Sequence, residues 1–407
     1  MPEAVIVSMA RSPIGRAIKG SMKEVRPDDL AALMVNAALA KVPGLERDHV
    51  EDLLLGCGQP AGESGYNMAR VVSVLAGLTD VPGATVNRYC SSSLQTTRMA
   101  FHAIKAGEGD VLISVGVESV SRSAATGRAD GLPNSKNPVF NEALTRTERR
   151  SEPGTDTWRD PTELGELPDI YIGMGQTAEN VAQYMGISRA EQDEYALRSQ
   201  NLAEKSQMNG FWQREIVPVH LPDGTVMTED DGPRAGTTLN TLSMLKPVFR
   251  PDGTVTAGNA CPLNDGAAAL IIMSDTKAKE LGLTPLARIL ATGLTGLSPE
   301  IMGLGPVNAT RNALKAAGMT MNDIDLVEIN EAFAVQVLGS ARELSIPLEK
   351  LNINGGAIAV GHPFGMTGAR ITNTLINSLQ FHDKQFGLET MCVGGGQGMA
   401  MVIERLS

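Results

Sequence analysis

The chain's 407 residues correspond to about 2.7 average domains. With 42% apolar and 20% charged residues and no apolar run of about 18, it is a globular chain rather than a membrane-spanning or disordered one. A formal net charge of −11 argues against a generic binder of nucleic acid or anionic membrane, since those carry a basic face, and it requires a local basic patch for any polyanionic ligand.

The chain opens on an apolar strand, Ala4 to Ser8, with no basic and apolar leader before it, and it ends in ERLS rather than a peroxisomal SKL. The expected location is the cytoplasm, and four cysteines in a chain this long, none paired as CxxC, fit a reducing compartment. Further strands are expected at Asp52–Gly56, Val111 to Gly116, Arg288 to Ala291, Leu326–Ile329 and Thr390 to Val393, with helical periodicity between them. Two distant stretches share one pattern of helix, acidic turn and apolar strand. Aligning Asp52 with Asp325 sets an offset of 273 residues and puts Cys57 on Asn330, while aligning Cys90 with His362 gives an offset of 272. A register held over that distance suggests duplication. Alternating strands and helices predict an α/β fold of helices packed on mixed, mostly parallel sheets. Residues 122–262 break the pattern with a polar stretch expected to be loop, then two helical segments, the second opening on the capping-box pair Ser188 and Glu191.

The reactive side chains gather in four segments at strand ends: VNRYCSSSLQ, EINEAFA, NGGAIAVGHPFGMTGAR and CVGGGQGMA. Glycine is 43 of 407 residues, above the usual ~7%, and these segments hold much of it. Cys90 precedes a helical run, where the helix dipole and free N–H groups favour a thiolate; a small buried cysteine is the plainer reading. His362, bounded by Gly361 and Pro363, is either its basic partner or a turn residue. Cys392 ends a strand before three glycines and either faces a ligand or the core, and Asn330 and Glu331 either serve the site or cap the next helix. Two thiols, an imidazole and an amide together suit carbon–carbon bond chemistry on a thioester, which needs a nucleophile, a base, a second weak acid and oxyanion donors.

These segments, together with GMGQTAENVA and LKPVFRPDGTVTAGNACPLNDGAAA, resemble in order and over essentially the whole chain the thiolase family, the acetyl-CoA C-acyltransferases. The resemblance implies a five-layer αβαβα fold of two repeated halves, residues 1–121 completed by 263–286 and residues 287–407, with an inserted loop domain at 122–262. It implies CoA as co-substrate with no tightly bound cofactor and no metal. It also implies a homodimer or homotetramer, with a 3-hydroxyacyl-CoA dehydrogenase or hydratase as an allowed partner, and neither nucleic acid nor a membrane span. By it Cys90 takes the acyl group, His362 activates it, Cys392 is the acid/base at the α-carbon, Asn330 anchors a water, and the N–H groups of Cys90 and Gly394 form an oxyanion hole. Arg234, Phe249, Cys261 and Phe333 would contact CoA, with Met174 near the acyl end; Lys246 and Arg250 lie in the same stretch and read as solvated charge. The implied reaction is thiolysis of 3-ketoacyl-CoA, with an acetoacetyl-CoA-specific enzyme or a non-catalytic acyl carrier as alternatives. Gly173 where short-chain enzymes carry His, Cys261 where Ser is usual, and Ser93 where Gly is usual depart from the family pattern. The loop at 134–169 has no assigned role.

Overall fold

The computed structural model describes residues 1–126 and 135–407; residues 127–134 of the expected polar loop lie outside the described residues. The first half contributes strand β1 (Ala4–Arg11), helix α1 (Pro27–Ala40), β2 (Asp52–Gly56), α2 (Met68–Leu75), β3 (Gly83–Val86), α3 (Ser92–Ala106) and β4 (Val111–Ser119). After an excursion carrying α4 (Met174–Met185) and α5 (Arg189–Met208), the chain returns as β5 (Asn264–Ser274). The second half contributes β6 (Ala287–Gly296), α6 (Gly305–Ala317), β7 (Leu326–Ile329), α7 (Ala334–Leu344), α8 (Phe364–Phe381), β8 (Phe386–Val393) and β9 (Gln397–Arg405).

The strand order shows the repeat directly. The first half runs β3-β2-β4-β5-β1 and the second β7-β8-β9-β6, with Leu351 bridging in parallel to Val327 where a fifth strand would lie. In both, the outer pairs are parallel and the two toward the junction antiparallel, so antiparallel pairing prevails where mostly parallel sheets were expected. The halves pair edge to edge through Val5–Arg288 and Ile6–Ala287.

Alternation along the strands produces five layers. On β5, Ala267, Ala269, Ile271 and Met273 face a core shared with α1 and α2, while Ala268, Leu270 and Ile272 face one shared with α3 and α8. On β9, Met399, Met401 and Ile403 join that same central core, whereas Ala400 and Val402 pack outward with α6 and α7. Period-2 side chains apolar on both faces are what a sheet buried between two helix layers requires. The central pair α3 and α8 approach closely at Gly368, where an added Cβ would lie 2.1 Å from the Leu94 nitrogen.

The excursion is tied down rather than loose. Arg11 of β1, wholly buried, binds Glu215 and Asp230, each at 2.7 Å. Helix α5, opened by the expected Ser188 capping box, lies over the loops after β7: Tyr195 Oη and Ser199 Oγ both donate to the Glu331 carboxylate. The run CVGGGQGMA does not end the strands, as its place in the sequence suggested. Gly395 and Gly396, at φ of +74° and +73°, turn the chain directly into β9, a geometry glycine adopts without strain.

Candidate active site

Cys90 lies in a single tight turn, Tyr89–Ser91, leading into α3, and Tyr89 before it has a φ of +45°. The thiol is half-buried. Its own N–H and that of Gly394 are the donors that favour a thiolate, and the Glu118 charge opposes one. Burial dominates, and the thiol is pushed up to about 12. This corrects the expectation that the helix N-terminus lowers it: desolvation of the ion outweighs the N–H donors. Cys392 at the end of β8 is raised by burial first and then by the Cys90 and Cys261 thiols, and Cys261 in the 259–262 loop by burial and then by Cys90.

His362 is 1% exposed and sits at the start of α8. Gly361 before it has a φ of +114° and its Cα abuts the Asn264 side chain, whose Oδ1 accepts the His362 N–H at 2.9 Å. The ring's tautomer follows from its neighbour. Thr367 Oγ1 donates to the Pro363 carbonyl at 2.7 Å and lies 2.6 Å from His362 Nδ1. Its one proton is committed to the carbonyl, so Nδ1–H donates to Thr367 and Nε2 carries the lone pair. Burial, helped by the Arg370 charge, lowers the imidazole to about 3, so it is neutral at physiological pH.

Asn330 does not cap α7. Its Nδ2 lies 3.3 Å from His362 Nε2 and 3.4 Å from Nδ1, nearly equidistant and therefore off the lone-pair axis of either, and its buried Oδ1 has no partner among the described residues. A buried acceptor left open is what a site needs if a water or substrate group docks there. Glu331 is instead structural, taking hydrogen bonds from Tyr195, Ser199, Asn352 and the Ile358 N–H.

Around the thiols, Met174 Sδ and the Tyr89 ring lie against Gly394, and a Cβ at Gly173 would meet nothing within 4 Å. The residue 173 position is thus exposed, open space beside Met174. On the other side, Cys261 N–H donates to the Ala332 carbonyl, Ala260 bridges Phe333, and the Phe249 and Phe333 rings meet edge to face at 6.2 Å. Arg234 lies near Arg16, whose charge opposes its own, and Arg16 reaches the Gly232 carbonyl beside the turn before His362. Neither arginine has a carboxylate at ion-pair distance among the described residues. Lys246 is exposed, but Arg250 is not the solvated charge expected: it is 3% exposed and binds Gln176 and Asn180. Ser93 gains a reason for not being glycine, since its Oγ accepts the Ala369 N–H at 2.9 Å and joins α3 to α8.

Sequence reasoning missed Thr367, Asn264, Arg16 and Glu118. Thr367 had a signal, five residues after His362 on the same helix start; the others act across long sequence separations and had none.

Residues 4–276 match the family model for the thiolase N-terminal domain and residues 283–405 that for the C-terminal domain. The chain is 44% identical to the 3-ketoacyl-CoA thiolase of Bacillus subtilis over 99% of its length and all of that protein. It is 45% identical to the 3-oxoadipyl-CoA/3-oxo-5,6-dehydrosuberyl-CoA thiolase of Escherichia coli over the whole of both chains. The crystal structure of the dimeric peroxisomal thiolase of Saccharomyces cerevisiae superposes with a TM-score of 0.87 at 34% identity, covering 99% of this chain and 97% of that one.

Proposed function

The chain belongs to the thiolase family of acyltransferases, and on that premise we propose that it cleaves 3-ketoacyl-CoA with free CoA in the degradative direction, through an acyl-Cys90 intermediate. The observation that carries the reading is the Cys90 thiol, held un-ionised under the Gly394 N–H and beside two further thiols, with a neutral imidazole of fixed tautomer on the adjoining turn.

In this scheme His362 Nε2 takes the Cys90 proton as the sulfur attacks the 3-keto carbon, and the resulting oxyanion is met by N–H donors. The C2–C3 bond breaks, acetyl-CoA leaves as an enolate, and Cys392 protonates it. The free CoA thiol then gives its proton to the Cys392 thiolate and attacks the thioester on Cys90; Cys90 leaves as a thiolate, takes back the proton held by His362, and the shortened acyl chain departs on CoA. A base that is neutral at pH 7 and a thiol that ionises only during transfer are matched to this sequence of steps. The Cys90 and Gly394 N–H groups form one oxyanion hole, and a water on Asn330 with His362 forms the other. Phe249, Phe333, Cys261 and Met174 line the thioester arm, while Arg234 and Arg16 meet the CoA phosphates. The assembly we propose is a homodimer or homotetramer in the cytoplasm.

The open space at Gly173 favours acyl chains longer than acetoacetyl, as in fatty acid β-oxidation. The likeness to a thiolase named for 3-oxoadipyl-CoA favours a second reading, dicarboxylic 3-ketoacyl-CoAs. Thiolysis rates for 3-ketoacyl-CoAs of increasing length, with 3-oxoadipyl-CoA included, decide between them. Rising kcat/KM with length supports the first; a preference for 3-oxoadipyl-CoA supports the second; activity confined to acetoacetyl-CoA defeats both. Cys90→Ala is expected to abolish thiolysis, and retained turnover would disprove the covalent route.

A further inference from the structure

Glu118, next to last in β4 and 1% exposed, has no part in the scheme above, yet the turn after His362 is joined through it to the first half. Its Oε2 accepts the N–H of Gly58 and the N–H of Gly365, each at 2.8 Å. Its Oε1 accepts the Gln59 N–H at 3.2 Å and lies 3.8 Å from the Cys57 sulfur. Gly58 and Gln59 follow β2 in the first half, whereas Gly365 is three residues beyond His362 in the second. The junction is tight: a Cβ at Gly58 would lie 3.0 Å from Phe364 Cβ and 3.3 Å from the Tyr89 carbonyl, and one at Gly365 would lie 2.7 Å from Cys57 Cα. The turn after β2, which packs against the Tyr89 carbonyl beside Cys90, and the turn after His362 thus meet around one carboxylate.

We propose that Glu118 is a positioning residue for acyl transfer, holding the turn that carries His362 against the Gly58–Gln59 turn, on which the turn that carries Cys90 packs. The proposal rests on the roles given above to those two residues. Among the described residues three N–H donors and one S–H donor converge on this side chain, so a carboxylate satisfies them all, while an amide would set its own NH2 against donors. The titratable groups facing it are the Cys57 and Cys90 thiols; Asp265 on the adjacent strand β5 is registered with Ser119 and held by Ser119 and Ser121. Among the described residues no cation pairs with Glu118; burial raises its carboxyl to about 7, and once ionised its charge opposes the Cys90 thiolate.

Glu118→Gln and Glu118→Asp separate positioning from simple structural support. Glu118→Gln is expected to lower kcat about 10- to 100-fold, the cost of a misplaced base, with KM within about twofold. The pH midpoint for iodoacetamide labelling of Cys90, followed on its own peptide by mass spectrometry, is expected to fall by about one unit as the opposing charge is removed. Glu118→Asp keeps the charge, so its midpoint stays at the wild-type value, but a side chain one methylene shorter cannot span both turns, and kcat falls. Wild-type kcat in either folded variant overturns the proposal, as does a Glu118→Gln midpoint that does not move. If Glu118→Gln does not fold, Glu118→Asp alone decides by its kcat. Failure of the underlying reading is separately visible: wild-type enzyme given 3-ketoacyl-CoA without free CoA would then show no acyl mass on the Cys90 peptide.

Discussion

His362 is neutral at physiological pH because of where it is buried, not because of its residue type alone. In an unfolded chain its imidazole titrates near 6.5; in the fold burial and Arg370 lower it to about 3, while Thr367 fixes the proton on Nδ1. Between those two values the unfolded chain binds the proton and the native chain does not, so this residue's contribution to stability is whole above pH 6.5 and is lost as pH falls toward 3. Glu118, raised to about 7, and Glu328, raised to about 8, both by burial, act in the opposite sense over roughly pH 4.5 to 8. The slope of the intact protein therefore mixes signs, and the informative quantity is the difference between wild type and His362→Gln. From pH 4 to 6, urea midpoints converted to free energy should give a wild-type stability that rises with pH more steeply than the variant's, by up to about 1.4 kcal/mol per unit. Parallel curves would mean that the imidazole titrates normally in the fold.

The crossing of α3 and α8 delivers Cys90 and His362 to one place, and it depends on absent side chains. Gly368 lies where a Cβ would come 2.1 Å from the Leu94 nitrogen and 2.8 Å from its Cα, backbone atoms that cannot rotate away. Gly368→Ala is expected to destabilise the protein by about 1–3 kcal/mol or more, read as a lower urea midpoint. Gly173→Ala, with nothing within 4 Å of the new methyl, is expected to stay within about 0.5 kcal/mol of wild type. Equal midpoints for the two would show that the helices can separate at no cost. Much at this scale was legible in the sequence: the strands at Asp52–Gly56 and Leu326–Ile329, the capped helix α5, and the matching of Cys90 with His362 all rest on local pattern and register. Strands β5 and β9 were not read from apolar runs, because each follows directly on a glycine- or loop-rich site segment that masks where the strand begins. Glu118 was invisible for a different reason. A carboxylate at the end of an apolar strand looks like a solvated end, and only the return of the second half, 247 residues later, buries it.

The molecule as a whole is anionic, at −11, while the substrate it is proposed to bind carries several phosphate charges. At about 0.15 M salt the Debye length is about 8 Å, so the distant acidic surface is largely screened and the nearest cations decide. Arg16 and Arg234 are such a pair: burial and mutual repulsion disfavour the Arg234 charge, a cost that an arriving phosphate relieves. A charge-assisted hydrogen bond is worth about 1.5–3 kcal/mol, so Arg234→Ala should raise KM for CoA about 10- to 100-fold while leaving kcat at saturation near wild type. Salt separates this local attraction from the global field. Raising ionic strength weakens the Arg234 contact but also screens the overall repulsion, so wild-type KM should climb with salt, whereas the variant, left mainly with repulsion, should show a flat or falling KM over the same range. A variant whose KM climbs in parallel with wild type would remove Arg234 from the phosphate site and shift the search to Arg16 alone.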